Sequence, residues 1–304
     1  MPNLIYIIQN MAIRNFSFLL LLASSLLFSG CNFLFFQPTK VIHSNPLSQG
    51  YNCEAITFES KDGTPLTGLF FPSTSQAKGT IVHFHGNGQN MTAHYLYIAW
   101  AARHGYNVFT FDYRGYGASG GKTGSISSAV KDSVAALEAA LELPGVDPDK
   151  IILFGQSLGS AMALAAAAET GFDPAAIVLE GSFYSYKGVA RAYLSRHWIT
   201  WPIIPLPTIA ITSSYAPKNE INRIKSPLLF IHSLRDNIVS YKQGRKLYDV
   251  AKGEKVFWDA PDGHTDAFSL YSNYFSPRLL QYLEDILNKG NAKQTDYEQL
   301  TVRD

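Results

Sequence analysis

The stretch Phe154–Ala161, FGQSLGSA, follows the apolar run Ile151-Ile152-Leu153 and leads straight into the alanine-rich MALAAAAE. A buried strand followed at once by a helix of small residues, with a serine between two glycines, reads as a sharp strand-to-helix corner. A serine held in a strained conformation there needs neighbours without side chains where backbones crowd, which gives Gly155 and Gly159 a physical task. Ser160, Ala161 and Ala163 would let the helix lie close to a sheet. An ordinary glycine turn is the competing reading. A nucleophilic serine requires a base, an acid and donors for an oxyanion, so the rest of the chain can discriminate between the two.

Outward from this corner, short apolar runs alternate with helical patterns. Strands are expected at Ala55–Glu59, Leu66–Phe71, Thr80–Phe84, Val108–Asp112, Ile151–Phe154, Ala176–Glu180, Leu228–His232 and Lys255–Trp258. Many are continuous runs, as in strands buried on both faces of a mostly parallel sheet. Helical periodicity falls near Met91–Arg103, Ser125–Leu143, Leu158–Thr170, Tyr241–Ala251 and Pro277–Leu287. The fold class is therefore α/β: a mostly parallel eight-stranded sheet with helices on both faces and functional groups at the carboxyl ends of the strands. The interval from Glu180 to Leu228 is too long for a simple connection and is expected to form a small cap, about residues 184–226.

The G-x-S-x-G corner in this setting resembles the α/β-hydrolase superfamily. That family orders its triad as nucleophile, acid and histidine, with the last two on loops after late strands. Asp236 follows the strand Leu228–His232, where the acid belongs, and His264 follows Lys255–Trp258, where the base belongs. The chemistry wants these types: the Ser157 hydroxyl attacks only when His264 takes its proton, and Asp236 would orient the imidazole and stabilise its charged form. Asp262 and Asp266 flank His264 and would more naturally shape its loop. His232 is a second candidate base, but it precedes the proposed acid. A turn or helix-cap role is the plain alternative for Asp236.

His85-Gly86-Asn87-Gly88, after the strand Thr80–Phe84, resembles the family's H-G-N-G loop. Carried over, the resemblance makes the backbone N–H groups of Asn87 and Leu158 the oxyanion hole and gives His85 a structural part in the loop. His83 and His85 as a pair of metal ligands is the alternative; no further ligand cluster stands near them in the sequence. Gly115–Gly120, GYGASG, matches the dinucleotide pattern G-x-G-x-x-G. Its helix starts only near Ser125, and Asp132 and Glu138 fall inside that helix rather than at a strand tip. The stretch from Asp112 to Ser119 instead resembles the D-x-R-G-x-G-x-S loop of many α/β-hydrolases. The resemblance spans roughly Asn52 to Asn288.

The chain of 304 residues is 46% hydrophobic and 16% charged, enough for a large core, and its 25 basic and 24 acidic residues offer no field for a polyanion. Nucleic acid is not an expected partner. Two cysteines, Cys31 and Cys53, exclude a disulfide framework. No acidic residue precedes Glu54, and Phe16–Phe28 reads FSFLLLLASSLLF behind Arg14. That pattern describes an export signal. Phe28-Ser29-Gly30-Cys31 resembles a bacterial lipobox, which would make Cys31 the lipidated residue, and Met11, opening MAIRN, makes a more ordinary start than Met1. An uncleaved membrane anchor is the alternative, although the run is short for a span. Asn32 after the cysteine would favour an outer membrane in bacteria that follow the enteric sorting rule.

The expected organisation is an anchor segment at 1–31, a linker at 32–50, a hydrolase domain at 51–290 and a polar tail at 291–304. The expected function is a membrane-tethered serine hydrolase of carboxylic ester or thioester bonds, with no metal or cofactor. The H-G-N-G loop is most similar to a branch that includes depalmitoylase-like and other small-cap acyl hydrolases. The apolar WITWPIIPLP, residues 198–207, suggests an acyl or lipid-like substrate, or else simply seals the cap onto the core. A peptidase or amidase, an acyltransferase, and a silent binding lipoprotein on the same fold are the alternatives.

Overall fold

The structure, a computed structural model, describes residues 35–195, 211 and 213–288. Eight strands form one sheet: β1 (Glu54–Glu59), β2 (Pro65–Phe71), β3 (Gly79–Phe84), β4 (Tyr106–Asp112), β5 (Ile151–Gln156), β6 (Ala176–Glu180), β7 (Leu228–Ser233) and β8 (Lys255–Ala260). Their order across the sheet is β8-β7-β6-β5-β3-β4-β2-β1. Every pairing is parallel except the two made by β2, which runs against β1 and β4. The helices are α1 (Met91–His94), α2 (Ile126–Leu141), α3 (Leu158–Thr170), α4 (Tyr186–Leu194), α5 (Pro217–Glu220), α6 (Tyr241–Val250) and α7 (Ser272–Leu287).

Strands β3 to β7 are buried along their whole length. Alternate residues feed two different cores. Val82, Phe109 and Leu153 join the core under α2, α3 and α6, whereas Ile81, Val108 and Ile152 join the one under residues 91–104 and α7. Two interleaved apolar faces are why these runs do not alternate in the sequence. The edge strand β1 does alternate between exposed and half-buried residues along most of its length. Helix α3 is buried from Leu158 to Ala168. Only small side chains permit that approach: a Cβ on Gly159 would stand 1.9 Å from the Phe84 carbonyl oxygen.

Three expectations change in detail. Residues 91–104 form the four-residue α1 and then two 3₁₀ turns, Tyr95–Tyr97 and Ala99–His104, closed by Gly105 at φ 91°. Helix α7 starts at Ser272, five residues before Pro277, because the fully buried Phe275 anchors its first turn against Trp258 and Phe268. Residues 35–50, read as a linker, are fastened from Phe35 onward. Gln37–Pro38 pairs in parallel with Gly88–Gln89, and the Asn90 side chain donates to the carbonyls of Thr39 and Val41. Of the expected cap, α4 and α5 are described; residues 198–207, Cys31, the apolar run Phe16–Phe28 and the tail 291–304 lie outside the described residues. Among the described residues no helix is long and apolar enough to cross a membrane.

Candidate active site

Ser157 is the one residue between β5 and α3, with φ 53° and ψ −115°. A non-glycine residue in such a region stores about 1–3 kcal/mol of strain. The surroundings hold it there: its N–H donates to the Glu180 carbonyl at 2.8 Å, its own carbonyl accepts from Ser160 N at 3.0 Å, and Ser160 Oγ donates to the Gly155 carbonyl at 2.8 Å. A Cβ on Gly155 would meet the Gly159 carbonyl oxygen at 2.5 Å, so the crowding expected at both glycines is present.

Asp236 lies on the turn after β7 with its carboxylate buried. Oδ1 accepts two backbone N–H groups, from Ile238 at 2.7 Å and Val239 at 2.8 Å. Those donors leave Oδ2 to accept from His264 Nδ1, at 2.6 Å. His264 lies on the loop after β8, and its ring passes the end of β6. Gly181, at φ 61°, makes room: a Cβ there would stand 3.0 Å from His264 Cε1. The residue before it, Glu180, is the one whose carbonyl accepts the Ser157 N–H. The end of β6 thus touches both the serine corner and the histidine. His264 Nε2 is buried and has no hydrogen-bond partner among the described residues.

The competing residues have partners of their own, although His232 also borders the acid, with Nε2 3.5 Å from Asp236 Oδ2. His232 Nε2 contacts the Val239 carbonyl at 2.9 Å, its ring lies against Gly244 on α6, and burial pushes its pKa down. Asp262 pairs at the surface with Arg235, and Asp266 turns its loop by accepting from Ser269 Oγ and from the backbone of Ser269 and Tyr271. His83 uses one ring nitrogen on Thr110 Oγ1 at 3.1 Å and the other on Gln156 Oε1 at 3.0 Å. Among the described residues no cluster of three or more His, Cys, Asp or Glu could hold a metal. The GYGASG stretch is a framed turn: Ser119 Oγ donates to the Asp112 carbonyl, and the buried Asp132 grips the Arg114 guanidinium.

Asn87 and Leu158 come from opposite sides of the corner. Leu158 is the first residue of α3, in the turn whose N–H groups lack intrahelical acceptors. Asn87 follows Gly86, and a Cβ on Gly86 would lie 3.8 Å from Ser157 Cβ. His85 Nδ1 donates to the Gly86 carbonyl at 2.7 Å, which fixes the peptide plane that carries the Asn87 N–H. The Asn87 carbonyl accepts from Gln37 N at 2.9 Å and Tyr116 Oη at 2.6 Å. His85 is fully buried among the rings of His94, Tyr113 and Tyr116.

The sequence reading passed over two buried residues beneath this site, Gln156 and Glu180. Gln156 Nε2 donates to Glu180 Oε2 at 2.7 Å, and Ala267 N donates to Glu180 Oε1 at 2.9 Å. Burial pushes the Glu180 pKa up to about 7. A signal existed: each is a polar residue ending an apolar strand that is buried on both faces.

Comparison with known proteins agrees with this architecture. Residues 75–219 match the family model described as serine aminopeptidase, S33. The uncharacterized protein YfhR of Escherichia coli O157:H7 is 33% identical over 268 residues, covering 86% of this chain and 89% of that one. YfhR of Salmonella typhi is 31% identical over 276 residues, covering 84% and 89%. Among solved structures, the Pyrococcus furiosus esterase Pf2001 superposes with a TM-score of 0.68 at 21% identity, over 82% of this chain and 97% of that one. Acetyl xylan esterase 1 from Thermoanaerobacterium sp. gives 0.61 at 18% identity, over 84% and 92%. With its eight-stranded sheet and a serine at the corner after β5, the chain has the α/β-hydrolase fold and belongs to the family that contains the enterobacterial YfhR proteins.

Proposed function

We propose that this protein is a serine hydrolase of carboxylic ester or thioester bonds, acting through Ser157, His264 and Asp236. One observation carries the reading. A serine is held at φ 53° on a strand-to-helix corner, and the end of β6 that binds its N–H also packs on a histidine whose Nδ1 is fixed by a buried carboxylate and whose Nε2 has no partner among the described residues. In the reaction Ser157 Oγ attacks the acyl carbonyl while His264 Nε2 takes its proton. The N–H groups of Asn87 and Leu158 receive the developing oxyanion. His264 then protonates the leaving alkoxide or thiolate, and the acyl group stays on Ser157. Water, giving a proton to His264, attacks this ester and releases the acid and the free serine.

The esterases among the structural neighbours support an ester substrate, and the name of the matching family keeps amide cleavage as the nearest alternative. The apolar run Phe16–Phe28 and the Ser29-Gly30-Cys31 sequence support export and attachment to a membrane, through lipid on Cys31 or through the run itself. An acyl substrate of lipid-like character suits that location. The test is labelling of the protein with a fluorophosphonate beside Ser157→Ala, followed by esters and thioesters of graded acyl length. Labelling that is lost in the variant, with turnover reduced at least ~10³-fold, is the expected result. A folded wild-type protein that neither labels nor turns over any acyl substrate would defeat the proposal.

A further inference from the structure

The proposed mechanism leaves a buried carboxyl group at the site unused. Glu180 ends β6 with 2% of its surface exposed, directly under the junction of the serine corner and the histidine loop. Its main chain and side chain hold both. The carbonyl accepts from Ser157 N at 2.8 Å and from Ser160 Oγ at 3.2 Å. The carboxylate accepts from Gln156 Nε2, one residue before the serine, and from Ala267 N, three residues after the histidine.

The hydrogen bonds leading to it run in one direction. His83 is fully buried, and burial keeps it neutral by pushing its pKa well down. Since Gln156 spends its NH₂ on Glu180, its Oε1 faces His83 Nε2, so that nitrogen carries the proton and Nδ1 accepts from Thr110 Oγ1. Every donor from Thr110 through His83 and Gln156 therefore points toward Glu180, and Ala267 N–H points at it from the other side. Hydrogen bonds aligned in this way polarise one another and favour a negative charge at their end. Around that end lie His264 and Asp266 on the loop after β8, and Tyr97 on the segment after α1. Of these only His264 can become a cation; His264 in turn faces Asp236 and, from β7, His232, which burial keeps low in pKa.

We propose that Glu180 is a positioning residue for the reaction: ionised, it supports the charged form of His264 alongside Asp236, and it fixes the histidine loop against the residue preceding Ser157. The inference rests on the triad reading above. It adds a second buried carboxylate, bonded to the backbone of the histidine loop at Ala267. Burial opposes ionisation and brings the Glu180 pKa to about 7, while a positive His264 lowers it.

The test is a nuclear magnetic resonance titration of the His264 ring nitrogens in the full chain, wild type against Glu180→Gln. The glutamine keeps the acceptor for Ala267 N and removes the charge. The expected result is a His264 midpoint lower by about one pH unit in the variant, a tenfold change in its proton affinity. Fluorophosphonate labelling at pH 8 should slow about tenfold in parallel. An unchanged midpoint in a folded variant overturns the proposal. Should Glu180→Gln not fold, the wild-type His264 resonances decide: a second inflection near pH 7 from Glu180 supports the proposal, and a single-step curve overturns it. The resonance needs no turnover, so a protein without hydrolase activity would fail the functional reading and still decide this one.

Discussion

The corner that carries Ser157 and the loop that carries Asn87 face each other across the same site, but they are held by different kinds of structure. Ser157 is fixed mainly by its own neighbourhood: Gly155, Gly159 and Ser160 lie within three residues, and its distant contacts are the ends of β3 and β6, the two strands that flank β5. The Asn87 loop is fixed from afar. Gln37 reaches it from fifty residues upstream, Tyr116 from twenty-nine residues downstream, and His85 steadies it only because three more rings bury that imidazole. A strained corner can be encoded locally because strand and helix leave the chain little choice of path. A loop that must present one N–H needs outside partners to settle its peptide planes.

This contrast can be broken or sharpened by substitution. The largest effect is expected at Asp236. Asp236→Asn keeps the shape but puts an amide beside His264 Nδ1, which disfavours the tautomer with Nε2 free to act as a base; kcat should fall by about 10³–10⁴ with little change in KM. A fall below tenfold would show that the acid side does not depend on this contact. Next comes Gly159→Ala, in the local region. Its Cβ would be driven to 1.9 Å from the Phe84 carbonyl oxygen, and neither backbone can move without shifting β3 or α3. A loss of about 3 kcal/mol in denaturant unfolding is expected. Loss of less than ~1 kcal/mol would mean that α3 can slide, and that the corner is less rigid than its geometry implies.

The smallest effect is expected on the distant side. Tyr116→Phe removes the hydroxyl that donates to the Asn87 carbonyl at 2.6 Å and accepts from Gln37 N at 3.1 Å. One neutral hydrogen bond is worth about 1 kcal/mol, so kcat should fall roughly fivefold while the His264 titration stays in place. If both change together, the two sides are one mechanical unit and the contrast fails.

The eight strands of the sheet, though not their order across it, were legible from apolar runs, because burial on both faces demands continuous hydrophobicity. Helix boundaries were less so. Pro277 reads as a helix start, yet the packing of Phe275 sets the helix going at Ser272. Ser157, Asp236 and His264 could be proposed from sequence because each follows a recognisable strand, and strand ends in a parallel sheet must converge. Gln37 and Glu180 could not be assigned this way. Gln37 sits in a proline-containing stretch that has no periodicity of its own, so its partner strand is invisible until Gly88–Gln89 lies beside it.

The residue order alone determined the α/β class, the strained serine between glycines and the succession of serine, aspartate and histidine, since these rest on periodicity and on local steric rules. Only the tertiary structure decided which nitrogen of His264 meets Asp236, which peptide His85 orients, and that a carboxylate lies buried under the corner. Those facts depend on side chains from separate strands sharing a few ångströms of low-dielectric interior, and no spacing along the chain encodes that neighbourhood.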